Sequence, residues 1–589
     1  MQANKADLRV ERGELGETTA AALLDHAERA LRDVEDHDAI LVLGEDLIAS
    51  AARVGLAVRQ AATARRNELA AERDIPAWND EAVRTLGQDS YHPLYIAYPT
   101  ATGLDDVSAA SWALAPDDIA RLGFAVAHAI DSAAPAVEGL DEATRREAET
   151  IAERLLAARR PLIVSGGSLG SLAVIEAAGS VARALSRSAR EGSLLLVRRE
   201  ANSTGLAMLG GEPLEWALDE LASARADALV ILENDLYQRA PRTRVDAALE
   251  RAETVIALDH QRTATWQHAH LGLPAAAFSE ADGTLVSLEG RAQRFFQVFD
   301  PRYIRPETRI HESWRWLHAL RADMLRHDVG EITLDAVTRA CAERHPELHG
   351  ILGAAPGADY RVRGLKLARE PHRYSGRTAM RAHLDVNEPR APQDADSPFT
   401  FSMEGYNGFD RPREEVAFAW APGWNSPQAW NKFTDEIGGH LSAGDPGVRL
   451  LHPQPGDYAY HTSLPANFTP RDSAWQVVVL PRLFGGEETS ARAAPIVERS
   501  APATLRLSAD DAQRLGCNDG ELLDVATEGG RCSLPVQLDA ALPAGLIGVP
   551  AGVEPALVSG DWAGLSTRAT NYRDAGAATR RGDETGDRP

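Results

Sequence analysis

Five short, unbroken apolar runs limit what this chain can fold into: Asp38–Gly44, Pro161–Ser165, Ser193–Val197, Asp227–Leu232 and Thr254–Leu258. Runs of this length, without polar alternation, suit strands covered on both faces, as in a parallel sheet. Ala-rich stretches with helical spacing, Leu172–Leu185 and Arg242–Glu253, lie between several of them. Strands alternating with helices specify βαβ units and doubly wound sheets. The sequence therefore predicts an α/β body over about 30–300, in two lobes with a break near Asp131–Arg145.

The texture changes outside that body. Residues 1–37 read as a helical segment, with an amphipathic stretch at Ala20–Arg32. The first lobe, incomplete, is expected at 38–140 and the second at 141–300. Residues 301–502 are rich in Pro, Arg, Trp and Gly. They hold one helical stretch, Arg309–Arg326, and an extended Pro-rich connector at Asn387–Pro398. Residues 503–565 read as a small barrel-like β module. Thr504–Leu507, Glu521–Ala526 and Arg531–Leu538 alternate, Ala509–Leu515 is helical, and Asn518-Asp-Gly520 and Glu528-Gly-Gly530 supply turns. The polar tail 566–589 reads as disordered.

Composition removes several classes of function. With 62 basic against 86 acidic residues, the net charge is −24, which opposes binding to nucleic acid or anionic lipid. No run of 18 apolar residues predicts a membrane span, and the N-terminus shows no signal-peptide core. The three cysteines, Cys341, Cys517 and Cys532, form no C-x-x-C and cannot supply a four-thiolate cluster. Their scarcity fits a reducing cytoplasm. None of the three lysines, Lys5, Lys366 and Lys432, follows a glycine, so the Walker A pattern is absent.

Candidate chemistry concentrates where the apolar runs end. Gly166-Gly-Ser168-Leu-Gly170, after a strand and before a helix, matches the nucleophile-elbow pattern G-x-S-x-G. A triad through Ser168 would use Asp259 with His260 or His268. A Gly/Ser-rich βα turn also matches this short pattern by chance, and no oxyanion sequence precedes it. Glu45 and Asp46, Ser165 and Gly166, Glu233-Asn-Asp235, and Asp259 with Arg262 and Thr263 also follow runs. Ligands of open α/β sheets bind outside the carboxyl ends of strands. There the carboxylates would hold ribose hydroxyls or a guanine edge, and Arg262 a phosphate. The competing and favoured explanation is that these residues, Asn234 among them, cap the next helices. His268-Ala-His270 would place two imidazoles on one face of an extended segment, but no third metal ligand is close in sequence. Phe418, Trp420, Trp424, Trp430 and Phe433 crowd one stretch and suit a loop-rich core or an interface anchor.

Longer strings carry a resemblance. Asp259–Thr265, Ala269–Glu280 and Ala281–Pro301 contain the order T-A…L-P-A-A-x-F…D-G-T…E-G-R-x-Q, which resembles the molybdopterin oxidoreductase superfamily. Together with Asn202–Gly211, Glu370–Arg381 and Phe418–Phe433, they resemble the C-terminal two-thirds of the G subunit of bacterial NADH-quinone oxidoreductase, the respiratory complex I. The resemblance spans about residues 30–560.

It implies paired doubly wound, Rossmann-like lobes with a C-terminal β-barrel, the dinucleotide-binding module. Molybdenum members bind a guanine dinucleotide cofactor at the strand ends, so the residues above become candidates for a vestigial cleft. The complex I branch keeps the fold without the molybdenum site. Its 2Fe-2S and 4Fe-4S clusters sit in an N-terminal part whose cysteines have no counterpart here. The expectation is a cluster-free structural portion, without a catalytic residue, metal or cofactor of its own, as if split or truncated. It would lie in the cytoplasmic, membrane-peripheral arm among other subunits, with a cluster-bearing N-terminal chain beside it. The alternatives are a molybdopterin-dinucleotide-binding oxidoreductase or cofactor carrier, and a serine hydrolase using Ser168.

Overall fold

The computed structural model describes residues 33–567 apart from 78, 189–191, 199, 327–331, 355–400, 403–404, 407–446, 452–458, 528–529 and 554–556. The expected helix at Ala20–Arg32, the Asn387–Pro398 connector, the Glu370–Arg381 and Phe418–Phe433 strings and the tail from 568 lie outside the described residues. The chain divides into two compact units. One comprises Met1–Arg59, Pro93–Ala275 and Pro453–Pro589, and the other Gln60–His92 and Ala276–His452.

The first unit is built on a five-stranded parallel sheet. Its strands are β1 (Ala39–Leu43), β2 (Leu94–Tyr98), β3 (Ala110–Ala113), β4 (Pro161–Gly166) and β5 (Ser193–Val197), in the order β3-β2-β1-β4-β5. Every residue of β1, β2, β4 and β5 is buried, as unbroken apolar runs require. Full burial of each such side chain contributes roughly 1.5–3 kcal/mol. The short helix α1 (Leu47–Ser50) follows β1, and α2 (Pro116–Ile130), α3 (Glu142–Ala157) and α4 (Leu172–Arg187) pack as layers. Asp141 starts α3 by accepting from Thr144 N at 2.8 Å. A Cβ on Gly123 of α2 would come within 2.8 Å of Leu43 and 2.9 Å of Ala177, so the missing side chain lets α2 lie against both β1 and α4. Strands from both sides of residue 140 share this sheet: β1 pairs in parallel with β2 and with β4. The expected break at Asp131–Arg145 is a helix-to-helix connection within one layered body, because apolar runs reveal strands but not their partners.

A second parallel sheet of the same unit orders β6 (Ala228–Leu232), β7 (Thr254–Asp259) and β8 (Leu271–Pro274). Leu229, Ile231 and Val255 pack on Leu218 and Leu221 of α5 (Leu214–Ala222) and on Val245 and Leu249 of α6 (Arg242–Arg251).

The second unit holds an antiparallel sheet of β9 (Gly283–Val286), β10 (Arg291–Phe295) and β11 (Val448–Arg449), in the order β11-β10-β9. Helices α7 (Ser313–Leu325) and α8 (Leu334–Arg344) follow β10 in the chain, and Arg294 of β10 pairs with Asp335 of α8 at 2.7 Å. No residue of α7 is buried.

The chain then returns to the first unit as a closed six-stranded barrel. Its strands are β12 (Trp475–Leu480), β13 (Leu505–Leu507), β14 (Leu522–Thr527), β15 (Gly530–Leu538), β16 (Leu546–Pro550) and β17 (Trp562–Thr567). Their order around the barrel is β12-β16-β13-β15-β14-β17. Leu505, Leu507, Leu523, Val525 and Ile547 fill the interior. Helix α9 (Ala509–Leu515) begins at Ser508, whose Oγ accepts from Asp511 N at 3.1 Å, and ends at Gly516 with φ +66°. The barrel takes in β12, which the sequence reading left in the 301–502 region. Closure needs that strand, since it bridges β16 and β17.

Candidate functional site

The strand order 3-2-1-4-5 reverses between β1 and β4, and such a switch point is where open α/β sheets bind ligands. Two of the predicted cleft residues meet there. Gly44, at φ +78°, turns the chain sharply out of β1 and delivers Glu45 across the sheet end. Glu45 is 1% exposed. Its Oε1 accepts from Ser168 N at 3.0 Å, and its Oε2 from Ser168 Oγ at 2.6 Å and from Ser50 Oγ at 2.8 Å. Burial pushes the Glu45 carboxyl up from 4.5 to about 7, against the pull of those three hydrogen bonds. A Cβ on Gly166 would stand 2.4 Å from Glu45 Oε1 and 2.5 Å from Val197 O, so only glycine leaves room for this arrangement. Ser165 faces inward and donates to Leu43 O at 2.9 Å, tying β4 to β1. Asp46 caps α1 through Ile48 N at 3.2 Å.

Tyr98, at the end of β2, is the polar residue here that sequence reasoning passed over. It is 1% exposed, and its hydroxyl is buried without a hydrogen-bond partner among the described residues. Burial, then the negative charges of Glu45 and Asp46, raise its pKa well above 10, while Arg506 of β13 opposes them. Arg506 itself pairs with Asp539 at 3.1 Å. The run Leu94–Tyr98 has the same unbroken apolar character as the five recognised runs and was findable by the same test.

The other predicted residues gather at the ends of β6 and β7. Asp235 is buried and accepts from Thr265 Oγ1 at 2.6 Å and Thr265 N at 3.2 Å, and it caps the turn Leu236–Gln238. Thr263 caps Ala264–Gln267 through Trp266 N at 3.2 Å. Asp259, raised by burial, accepts from Gln261 N at 2.9 Å. Glu233 adopts φ +46°, and its N–H donates to Leu258 O at 2.7 Å. Asn234 Oδ1 accepts from Arg239 Nε at 2.9 Å. The Arg262 carbonyl accepts from Arg492, and its guanidinium has no hydrogen-bond or ion-pair partner among the described residues.

Around Arg239 lies a cluster with no local signature in the sequence. Its guanidinium pairs with Glu200 at 2.7 Å and with Glu488 at 3.1 Å. Burial works against the Arg239 charge, and the two carboxylates outweigh it. Burial raises Glu488 to about 7; Arg239 opposes this, and the nearby Asp235 and Asp259 add to it. The loop carrying Glu488 is also held by Gln261, whose Nε2 donates to Thr489 O at 2.6 Å. This loop therefore lies over the ends of β6 and β7, where the fold class would place a ligand.

The hydrolase pattern is not assembled. Ser168 donates to Glu45, not to an imidazole. The His268–His270 segment is a turn, not an extended strand. His268 ends Ala264–Gln267 beside the Tyr237 ring, and His270 Nδ1 accepts from Val255 N at 2.9 Å. Among the described residues, no group of three or more His, Cys, Asp or Glu is placed to hold a metal ion, and all three cysteines are free thiols.

Residues 141–307 match the family model described as "Molybdopterin oxidoreductase". The chain is 55% identical over 542 residues to the G subunit of NADH-quinone oxidoreductase from Pseudomonas putida, covering 92% of this chain and 60% of that protein. It is 49% identical over 524 residues to the protein of the same name from Escherichia coli strain CFT073, covering 89% of this chain and 58% of that one. The chain thus spans about 60% of the length of these relatives. Among solved structures, acetylene hydratase from Pelobacter acetylenicus aligns with a TM-score of 0.44 at 13% identity, covering 93% of this chain and 75% of that one, a likeness too low to carry an argument. The fold class expected from the residues, doubly wound parallel sheets with a C-terminal closed barrel, is the one observed.

Proposed function

From a chain related over nine-tenths of its length to the G subunit of NADH-quinone oxidoreductase, we infer a structural role in such a respiratory complex. The chain holds cluster-bearing neighbours at fixed spacing while electrons pass from NADH to quinone through them. One observation carries this reading beyond the relatedness. A charged group at each set of strand ends is engaged within the chain, Glu45 by Ser168 and Ser50, and Arg239 by Glu200 and Glu488.

A dinucleotide pterin does not fit these residues. Glu45 Oε1 lies against Gly166 at the end of β4, and Glu488 pairs with Arg239 at the ends of β6 and β7. Three cysteines are too few for a four-thiolate cluster. These observations support a scaffold over the molybdopterin-dinucleotide alternative. The hydrolase alternative is left with a serine bonded to a buried carboxyl.

The partners are the other subunits of the peripheral arm, including a chain or segment that bears the 2Fe-2S and 4Fe-4S clusters. The location is the cytoplasmic face of the membrane, reached through the complex; no described helix is long and apolar enough to cross a membrane. Affinity purification of the tagged chain from its own host, with mass spectrometry of its companions, tests this. A cysteine-rich ferredoxin-like protein with further NADH-quinone oxidoreductase subunits is the expected result. Recovery of the chain alone would contradict it.

A further inference from the structure

We propose that residues 481–504, between β12 and β13, form a lid hinged at Gly485–Gly486 and latched by Glu488 to Arg239, and that a rise in pH opens it. The inference concerns this chain alone and goes beyond the scaffold reading without resting on it. Apart from one helical turn, Ala494–Val497, the segment is irregular. Irregular loops longer than about 12–15 residues are uncommon in compact domains, and lids are among their ordinary uses. None of residues 481–500 is fully buried. Their hold on the second parallel sheet is polar. Glu488 pairs with Arg239 at 3.1 Å, Thr489 O accepts from Gln261 Nε2 at 2.6 Å, and Arg492 donates to Arg262 O. A segment fixed by polar contacts rather than by apolar burial opens at a lower cost than the whole fold.

The tip and the neck of the loop are each knitted. Glu487 Oε2 accepts from Thr489 N at 2.7 Å and Oε1 from Ser490 N at 2.8 Å, which closes the tip on itself. Arg482 donates to Ala501 O across the neck. Gly485 sits there at φ +79°, and a Cβ on it would stand 2.6 Å from Ser500 Oγ. The neck therefore turns on glycine, and the tip swings about it as one piece. Opening gives water access to Asp235, Arg239 and Asp259 at the ends of β6 and β7.

The charges around the latch set its direction with pH. Burial, with the carboxylates of Asp235 and Asp259, raises Glu488 from 4.5 to about 7, against the pull of Arg239 and of the Asp235 amide. Asp259, which faces His260 and Glu233, is raised by burial in the same sense. Glu200 shares the Arg239 cation. Burial works against the Glu487 charge, but its Ser490 and Thr489 donors outweigh it, and they move with the tip. An open lid returns Glu488 to water and to its ordinary value. Between about pH 4.5 and 7 the closed lid thus holds a proton that the open lid releases, so opening gains up to about tenfold per pH unit. The gain totals at most about 300-fold and levels off above pH 7.

The test is hydrogen–deuterium exchange of the full chain at about pH 5, 6, 7 and 8, read by mass spectrometry and corrected for intrinsic exchange rates. Peptides from 481–504 are compared with peptides from β12 and β14. Wild type should lose lid protection by more than about tenfold between about pH 5 and 7, while the barrel strands keep theirs. E488Q, which cannot titrate, should remove most of that slope. Q261A, which frees Thr489 O without altering a charge, should open the lid at every pH and keep the slope. Wild-type lid protection that is constant with pH would overturn the proposal, as would a slope that E488Q retains or Q261A abolishes. Lid and barrel peptides that lose protection together would also overturn it, since the event would then be unfolding of the whole unit.

Discussion

Ser168 Oγ stands 2.6 Å from Glu45 Oε2, and Ser168 N stands 3.0 Å from Glu45 Oε1, so one serine spans both oxygens of a buried carboxyl at the sheet's switch point. The two residues are 123 positions apart and come from the ends of β1 and β4. That contact closes the two strand ends on each other at the position where open α/β sheets commonly bind ligands.

The closure depends on Gly166. An alanine there would drive a Cβ to within 2.5 Å of Val197 O, a backbone atom that cannot swing aside. Gly166→Ala is expected to cost about 1–3 kcal/mol or displace Glu45, and urea denaturation of wild type and variant measures it. An unchanged midpoint would mean the turn is looser than described.

Glu45 also makes stability pH-dependent. Its folded carboxyl is raised from 4.5 to about 7, so across that window the folded chain keeps a proton that the unfolded chain has released. Stability therefore falls as pH rises from about 4.5 to 7 and levels off above, with a contribution of roughly 3 kcal/mol from this one group. Glu45→Gln should flatten that portion of the curve. Ser168→Ala should push the Glu45 carboxyl higher still, because it removes a donor that favours the ionised form. Denaturation midpoints at several pH values read both effects, and identical profiles for wild type and Glu45→Gln would contradict them.

Arg239 is the corresponding fastener at the second sheet. Arg239→Ala leaves Glu200 and Glu488 facing each other without their shared cation, at a cost of about 3–5 kcal/mol. Glu488→Gln should cost much less, since Glu200 still pairs with Arg239 and the buried charge is gone. A double-mutant cycle by denaturation compares them; equal costs would deny the asymmetry.

Much of the fold could be read from the sequence, and much of the site could not. The unbroken runs Ala39–Leu43 and Pro161–Gly166 announced buried parallel strands, because only strands covered on both faces lack alternation. Nothing in either run says that they pair with each other, since an all-apolar strand carries no register signal. Trp475–Leu480 was lost in a Pro- and Gly-rich region, although its closure of the barrel is long-range. At the site, capping was legible: Asp46, Asp235 and Thr263 sit just ahead of short helices and accept their amides. The Arg239–Glu488 pair joins residues 249 apart, a distance over which no local pattern speaks. Tyr98 was hidden for a simpler reason, at the end of an apolar strand that was not recognised.

A fluorophosphonate probe should leave Ser168 unlabelled. Its hydroxyl donates to Glu45, and among the described residues no imidazole is bonded to it to take a proton during attack. Labelling of wild type that disappears in Ser168→Ala would reinstate the hydrolase reading.

On the scaffold reading, this chain positions redox centres without carrying one. Electron paramagnetic resonance on the assembly purified through the tagged chain tests it, before and after high salt strips the chain free. The expected result is NADH-reducible iron–sulfur signals in the intact assembly, and a stripped chain with neither signal nor stoichiometric iron or molybdenum. A stripped chain that keeps a cluster or a molybdenum centre would contradict the scaffold role.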